Sequence, residues 1–115
     1  MSLVAFSLTR QGLPVAFSAM PAYVIAAVND AWDQEKLAEY RERNTDAVAK
    51  HGGSFAARGG KQEILEGDYE PKRVVVIEFP DLDAAKGWYR SDDYAPLREL
   101  RRSASDTDIF MVEGV

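Results

Sequence analysis

Residues 73–80, Arg-Val-Val-Val-Ile-Glu-Phe-Pro, carry the densest apolar pattern in the chain. β-Branched residues run together and Pro80 stops the ladder, so the stretch predicts a strand. Alternation sends Val75, Ile77 and Phe79 to one face and Val74, Val76 and Glu78 to the other. Both faces are mostly apolar, and both need cover. Residues 22–28 repeat this two-sided pattern, and residues 29–32 after them read as a turn. Leu37, Tyr40, Ala47 and Val48 recur at helical spacing behind Asp33, a residue type that caps helix N-termini. Gly52 and Gly53 end that helix.

Further along, residues 54–58 predict a second strand. Gly59 and Gly60 suggest a bulge in it, and residues 62–66 would resume it before a turn leads into the strand at 73. Asp81 caps a second helix carrying Ala84, Ala85, Trp88 and Tyr89. Another helix is expected over about 94–102, with Leu97 and Leu100 inward, then a loop over 103–106 and a last strand over 108–112. Glu39 with Arg43, and Asp46 with Lys50, are i,i+4 pairs in the favourable order. The order βαββαβ predicts an α+β, ferredoxin-like sandwich with an antiparallel sheet. Helices on one face leave the other bare and apolar, which a second copy would cover. The expected assembly is therefore a homodimer, a dimeric α+β barrel, built from residues 20–115. Residues 1–19 are expected to be an N-terminal extension outside the core, pairing loosely with an edge or mobile. Their weak resemblance to a secretory signal lacks a leading positive charge and a small residue at position 17, where Phe17 stands.

Composition removes several classes of function. The net charge of −5 opposes binding to a nucleic-acid backbone. The chain has no cysteine, which excludes disulfides, thiolate nucleophiles and thiolate metal sites. A single histidine, His51, cannot build the usual zinc site. No apolar run approaches the roughly 20 residues that span a bilayer. A cytoplasmic protein with neither metal nor cofactor is the expectation.

The residues Ala22-Tyr-Val-Ile-Ala, Leu37-Ala-Glu-Tyr, Gly52-Gly-Ser-Phe, Arg58-Gly-Gly, Leu65-Glu-Gly-Asp, Glu78-Phe-Pro and Trp88-Tyr-Arg-Ser carry a resemblance. So do Tyr94, Arg101-Arg102 and Glu113-Gly114. Over residues 21–115 the chain resembles the family called domain of unknown function 1330, in the dimeric α+β barrel superfamily. The resemblance implies a fold and a dimer, and no activity. Superfamily members include cofactor-free monooxygenases, haem-degrading enzymes and lactone isomerases.

Two functional expectations follow. The first is a small organic ligand held in a cavity between sheet and helices, lined by Arg58, Gly59, Gly60, Trp88 and Tyr94. Arginine offers a fork for a carboxylate or phosphate, and the glycines would admit a ligand to the backbone. The second is a cofactor-independent monooxygenase or isomerase acting on a small organic acid or phenol. There Glu78 or His51 would move the proton while Arg58 held the anion. Each residue also has a plainer explanation. Glu78 would pair with an arginine, His51 would sit against a helix C-terminus, and Trp88, Tyr89 and Tyr94 would be core. Arg90, Arg98, Arg101 and Arg102, interleaved with acids, read as a solvated helix face.

Overall fold

The computed structural model describes residues 20–115, together with the backbone of two short strands, β1 (Ser7–Leu8) and β2 (Pro14–Val15), which pair antiparallel. The expected loose pairing or mobility of residues 1–19 otherwise lies outside the described residues. The remaining elements are β3 (Ala22–Ala31), α1 (Gln34–Lys50), β4 (Ser54–Arg58), β5 (Arg73–Phe79), α2 (Leu82–Arg90), α3 (Ala95–Ala104) and β6 (Ser105–Glu113). They form a four-stranded antiparallel sheet in the order β4-β5-β3-β6, the ferredoxin-like arrangement expected from the apolar pattern.

The helices cover one face. Ala22 and Val24 on β3 and Ile77 and Phe79 on β5 are buried beneath them, with Trp88, Tyr94 and Leu97. Trp88 is the hub of this core. Its ring lies 5.6 Å from Phe79 and 4.2 Å from Tyr94, centroid to centroid. Its indole N–H donates to Asn44 Oδ1 at 3.0 Å, so a large buried polar group is satisfied. α2 lies on the central strands, whereas α1 packs mainly on α3 and leaves space between itself and the sheet.

The helix boundaries follow from local chemistry. Asp33 accepts from Lys36 N at 3.1 Å, and Asp81 accepts from Ala84 N at 2.7 Å. Gly52 takes φ 82° behind α1, in the left-handed region that favours glycine. Ser91 Oγ accepts from Tyr94 N at 3.1 Å ahead of α3.

Several boundaries differ from expectation. β3 runs on through the predicted turn to Ala31, because β6 continues beside it and a register shift between Val28 and Asp30 absorbs Asn29. No loop separates α3 from β6: Ser105 Oγ donates to Arg101 O at 3.0 Å, and the strand begins at once. Residues 62–66 do not resume β4. They belong to an irregular connection, where Leu65 is 84 % exposed and gains nothing from pairing. The β4 irregularity falls between Phe55 and Ala57, not at the two glycines. Lys50 pairs with Asp93 at 2.9 Å in place of Asp46, while the Arg43–Glu39 pair forms at 2.7 Å.

The opposite face of the sheet presents Ile25, Val74 and Val76 with the exposed Phe110 and Val112. No described helix is long and apolar enough to cross a membrane. Truncating the hub, Trp88→Ala, removes a large buried side chain and orphans the Asn44 carbonyl. The expected loss is about 3–5 kcal/mol of unfolding free energy, measured by urea titration.

Candidate binding cavity

The space beneath α1 is a cavity of about 420 Å³. Its floor is apolar: Ala26 and Val28 of β3, Val75 and Ile77 of β5, Ile109 of β6. Leu37 and Phe55 add apolar walls. Half of the polar side chains that line it are cations, which only donate. Arg41, Arg58, Lys72, Arg73 and Arg101 line it, and no aspartate or glutamate does among the described residues. In a chain of net charge −5, that segregation of cations is the site's defining feature.

The short β4 irregularity aims Arg58 at the cavity. It lets Phe55 and Arg58, three residues apart, both face α1, whereas regular alternation would turn them to opposite faces. The Arg58 guanidinium carbon stands 3.8 Å over the Phe55 ring, and Nη2 donates to Arg41 O on α1 at 2.7 Å. Arg73 Nη2 donates to Arg58 O at 3.4 Å. Its guanidinium occupies the space where a Cβ on Gly59 would lie, and Gly59 has φ 74°. Burial and then the charge of Arg41 lower the pKa of Arg58. Burial, Arg41 and Arg58 do the same to Arg73. The three arginines thus repel one another, and no ion pair relieves any of them among the described residues.

The deeper end is built on α1 and α3. Arg101 is 5 % exposed, and its Nε donates to Tyr94 Oη at 3.4 Å. Tyr94 Oη and Tyr40 Oη are 2.7 Å apart. Arginine only donates, so Tyr94 Oη accepts from Arg101, and the two tyrosine hydroxyls share one further hydrogen bond. The Tyr40 side chain lines the cavity. Burial, and next its neighbour Tyr94, raise the Tyr40 pKa well above the ordinary value, so the hydroxyl stays protonated. Burial disfavours the Arg101 charge, but Tyr94 and Tyr40 outweigh it and raise the Arg101 pKa. Asn44, 2 % exposed, spends its carbonyl on Trp88, which leaves its NH₂ group as the donor facing the cavity.

The residues expected from sequence divide between this site and elsewhere. Arg58 and Trp88 line the cavity, and Tyr94 stands one layer behind, holding Tyr40 and Arg101. Gly59 makes room for Arg73 and not for a ligand, while a Cβ on Gly60 would meet open space. Glu78 pairs in register with Tyr23 and Ser54 and points to the opposite face of β5. His51 caps α1, with Nε2 3.9 Å from Asp93. Neither lines the cavity, so within one chain Glu78, His51 and Arg58 do not converge.

Arg101 is the residue the sequence reading misplaced: it is interior, not part of a solvated face. Its spacing carried the signal, because Tyr94, Leu97, Arg101 and Ala104 recur at i, i+3, i+7 and i+10 and all are buried. Asn44 likewise shares a face with Leu37, Tyr40, Ala47 and Val48. No cluster of ligating side chains that could hold a metal occurs among the described residues.

A family model described as "Domain of unknown function (DUF1330)" matches residues 21–115, and the chain belongs to that family. Solved structures share the fold. A protein of unknown function from Rhodopseudomonas palustris, RPA0582, is 19 % identical with TM-score 0.69, over 84 % of this chain and 83 % of that one. SnoaB, a cofactor-independent oxygenase from Streptomyces nogalater, is 14 % identical with TM-score 0.61, over 84 % and 95 %. A dimeric ferredoxin-like protein of unknown function from Thermobifida fusca is 14 % identical with TM-score 0.57, over 86 % and 95 %. No curated protein matches the chain.

Gly59→Ala tests the packing of the arginine cluster. A left-handed alanine costs about 1–2 kcal/mol, and its methyl group displaces Arg73. The expected outcome is a loss of that size in chemical denaturation, with Gly60→Ala close to neutral.

Proposed function

We propose that this family member is a homodimer that binds a small organic anion in the cavity between α1 and the sheet. One observation carries the reading: five cationic side chains line the cavity without a carboxylate among the described residues. A buried arginine that no protein carboxylate neutralises is costly to keep in a fold used for nothing else. A carboxylate or similar anion relieves it, and arginine's planar fork suits that geometry. The apolar floor and the edge of Trp88 take the ligand's hydrocarbon part, as in most small-molecule sites. The working unit is residues 20–115, in the cytoplasm, with 1–19 an extension.

The dimer is supported by the apolar sheet face bearing Phe110, 57 % exposed, and Val112, 48 % exposed. The Thermobifida fusca protein of the same fold is described as dimeric. Pairing sheet to sheet leaves both cavities outside the interface, since they lie on the helical side.

A second reading, a cofactor-independent oxygenase or isomerase acting on a small organic acid or phenol, is favoured by the donors at the inner end. Tyr40, Asn44 and Arg101 would stabilise an enolate or phenolate oxygen there. The SnoaB description is in keeping with it. No aspartate, glutamate or histidine lines the cavity among the described residues, so in this reading the substrate's own acidity supplies the anion.

Thermal unfolding with benzoate at constant ionic strength tests the binding reading. Ligand at a hundredfold its Kd stabilises by about 2.7 kcal/mol, which raises Tm by several degrees in a domain of this size. The neutral analogue benzamide should not do so, and Arg101→Gln should abolish the benzoate shift. Equal shifts from both compounds would remove the anion from the account. For assembly, Phe110→Asp should convert the dimer to monomer in sedimentation velocity; an unchanged dimer would move the interface off this face.

A further inference from the structure

The cations of the cavity do not form one cluster, and their separation says more about the ligand than their number. Arg58 enters from the edge strand β4 and Arg73 from β5 beside it, with Arg41 above them on α1. Arg101 enters from α3, which packs beside β6 at the other edge. Between them lies the floor of β3 and β5, apolar at Ala26, Val28, Val75 and Ile77, with Lys72 and Thr107 beside Val28 at the end of that floor. From β5 to β6 is two strand spacings, about 10 Å.

The ends also differ in kind. The inner end is enclosed, and the polar groups it turns to the cavity are the Tyr40 hydroxyl, the Asn44 amide and the remaining Arg101 N–H groups. It suits one planar oxyanion. The outer end gathers three guanidinium groups that repel one another and have no ion pair among the described residues. A single negative group at the inner end leaves that repulsion untouched.

We propose that the ligand is a small dianion, with an oxyanion at each end of a rigid apolar middle, bridging Arg101 and Tyr40 at one edge of the sheet to Arg58 and Arg73 at the other. This rests on the anion-binding reading and names its ligand class. The middle lies flat on the valines and alanines of the floor, beside Trp88. The outer carboxylate, phosphate or sulfate takes the two guanidinium groups that Gly59 lets stand together.

Isothermal titration of the full chain with four probes separates the two claims. Terephthalate carries carboxylates at opposite ends of a ring, phthalate carries them side by side, benzoate has one, and terephthalamide has none. Terephthalate should bind at least tenfold more tightly than either benzoate or phthalate. Phthalate has the same charge, so the comparison isolates the spacing. The double variant Arg58→Gln, Arg73→Gln should bring terephthalate to within about threefold of benzoate, and these half-exposed positions leave the core intact. Phthalate or benzoate matching terephthalate would overturn the two-ended ligand while leaving the anion site standing. Terephthalate binding no better than terephthalamide, or not at all, would overturn both.

Discussion

A buried indole N–H must find an acceptor, and Trp88 meets that demand through Asn44 of α1. The hydrogen bond does two things at once. It ties α1 to the core hub that Phe79, Tyr94 and Ala85 complete, and it fixes which way the Asn44 amide points. Because α1 leans on α3 and not on the strands, the tie leaves a cavity instead of a filled interior. Core packing and site chemistry therefore share one contact.

Around that cavity the same logic of obligatory donors repeats. Arg101 donates to Tyr94, whose hydroxyl shares a hydrogen bond with that of Tyr40 at the cavity wall. Arg58 is held by the Phe55 ring and by a carbonyl of α1, and Arg73 by the carbonyl of Arg58. Among the described residues these contacts use no counter-ion, and they leave positive charge in a partly desolvated place. An electronegative guest is what such an arrangement lacks.

Much of the architecture was legible in the sequence because it rests on periodicity and local chemistry. The two-sided strands β3 and β5, the Asp33 and Asp81 caps and the Gly52 stop all appear where their residues imply. What sequence could not show was set by partners far along the chain. β3 overruns its predicted turn because β6 continues beside it, and residues 62–66 stay irregular despite Ile64 and Leu65. The site was legible in part. Arg58 and Trp88 stood out by type, yet Arg101 was hidden among charged neighbours on a helix whose apolar stripe it interrupts. A charged residue on a buried stripe conflicts with its surroundings, and such conflicts concentrate where a protein functions. Glu78 stood out for the same reason but faces away from the cavity, because alternation along β5 carries it to the other side.

Free positive charge in the cavity should attract anions. An anomalous-scattering map from crystals grown in bromide would test this most directly. Bromide peaks are expected at both ends of the cavity, one within contact of Arg101 and Tyr40 and one between Arg58 and Arg73. A cavity without bromide, with each of these arginines instead paired to a carboxylate of the chain or of its partner, would contradict that expectation.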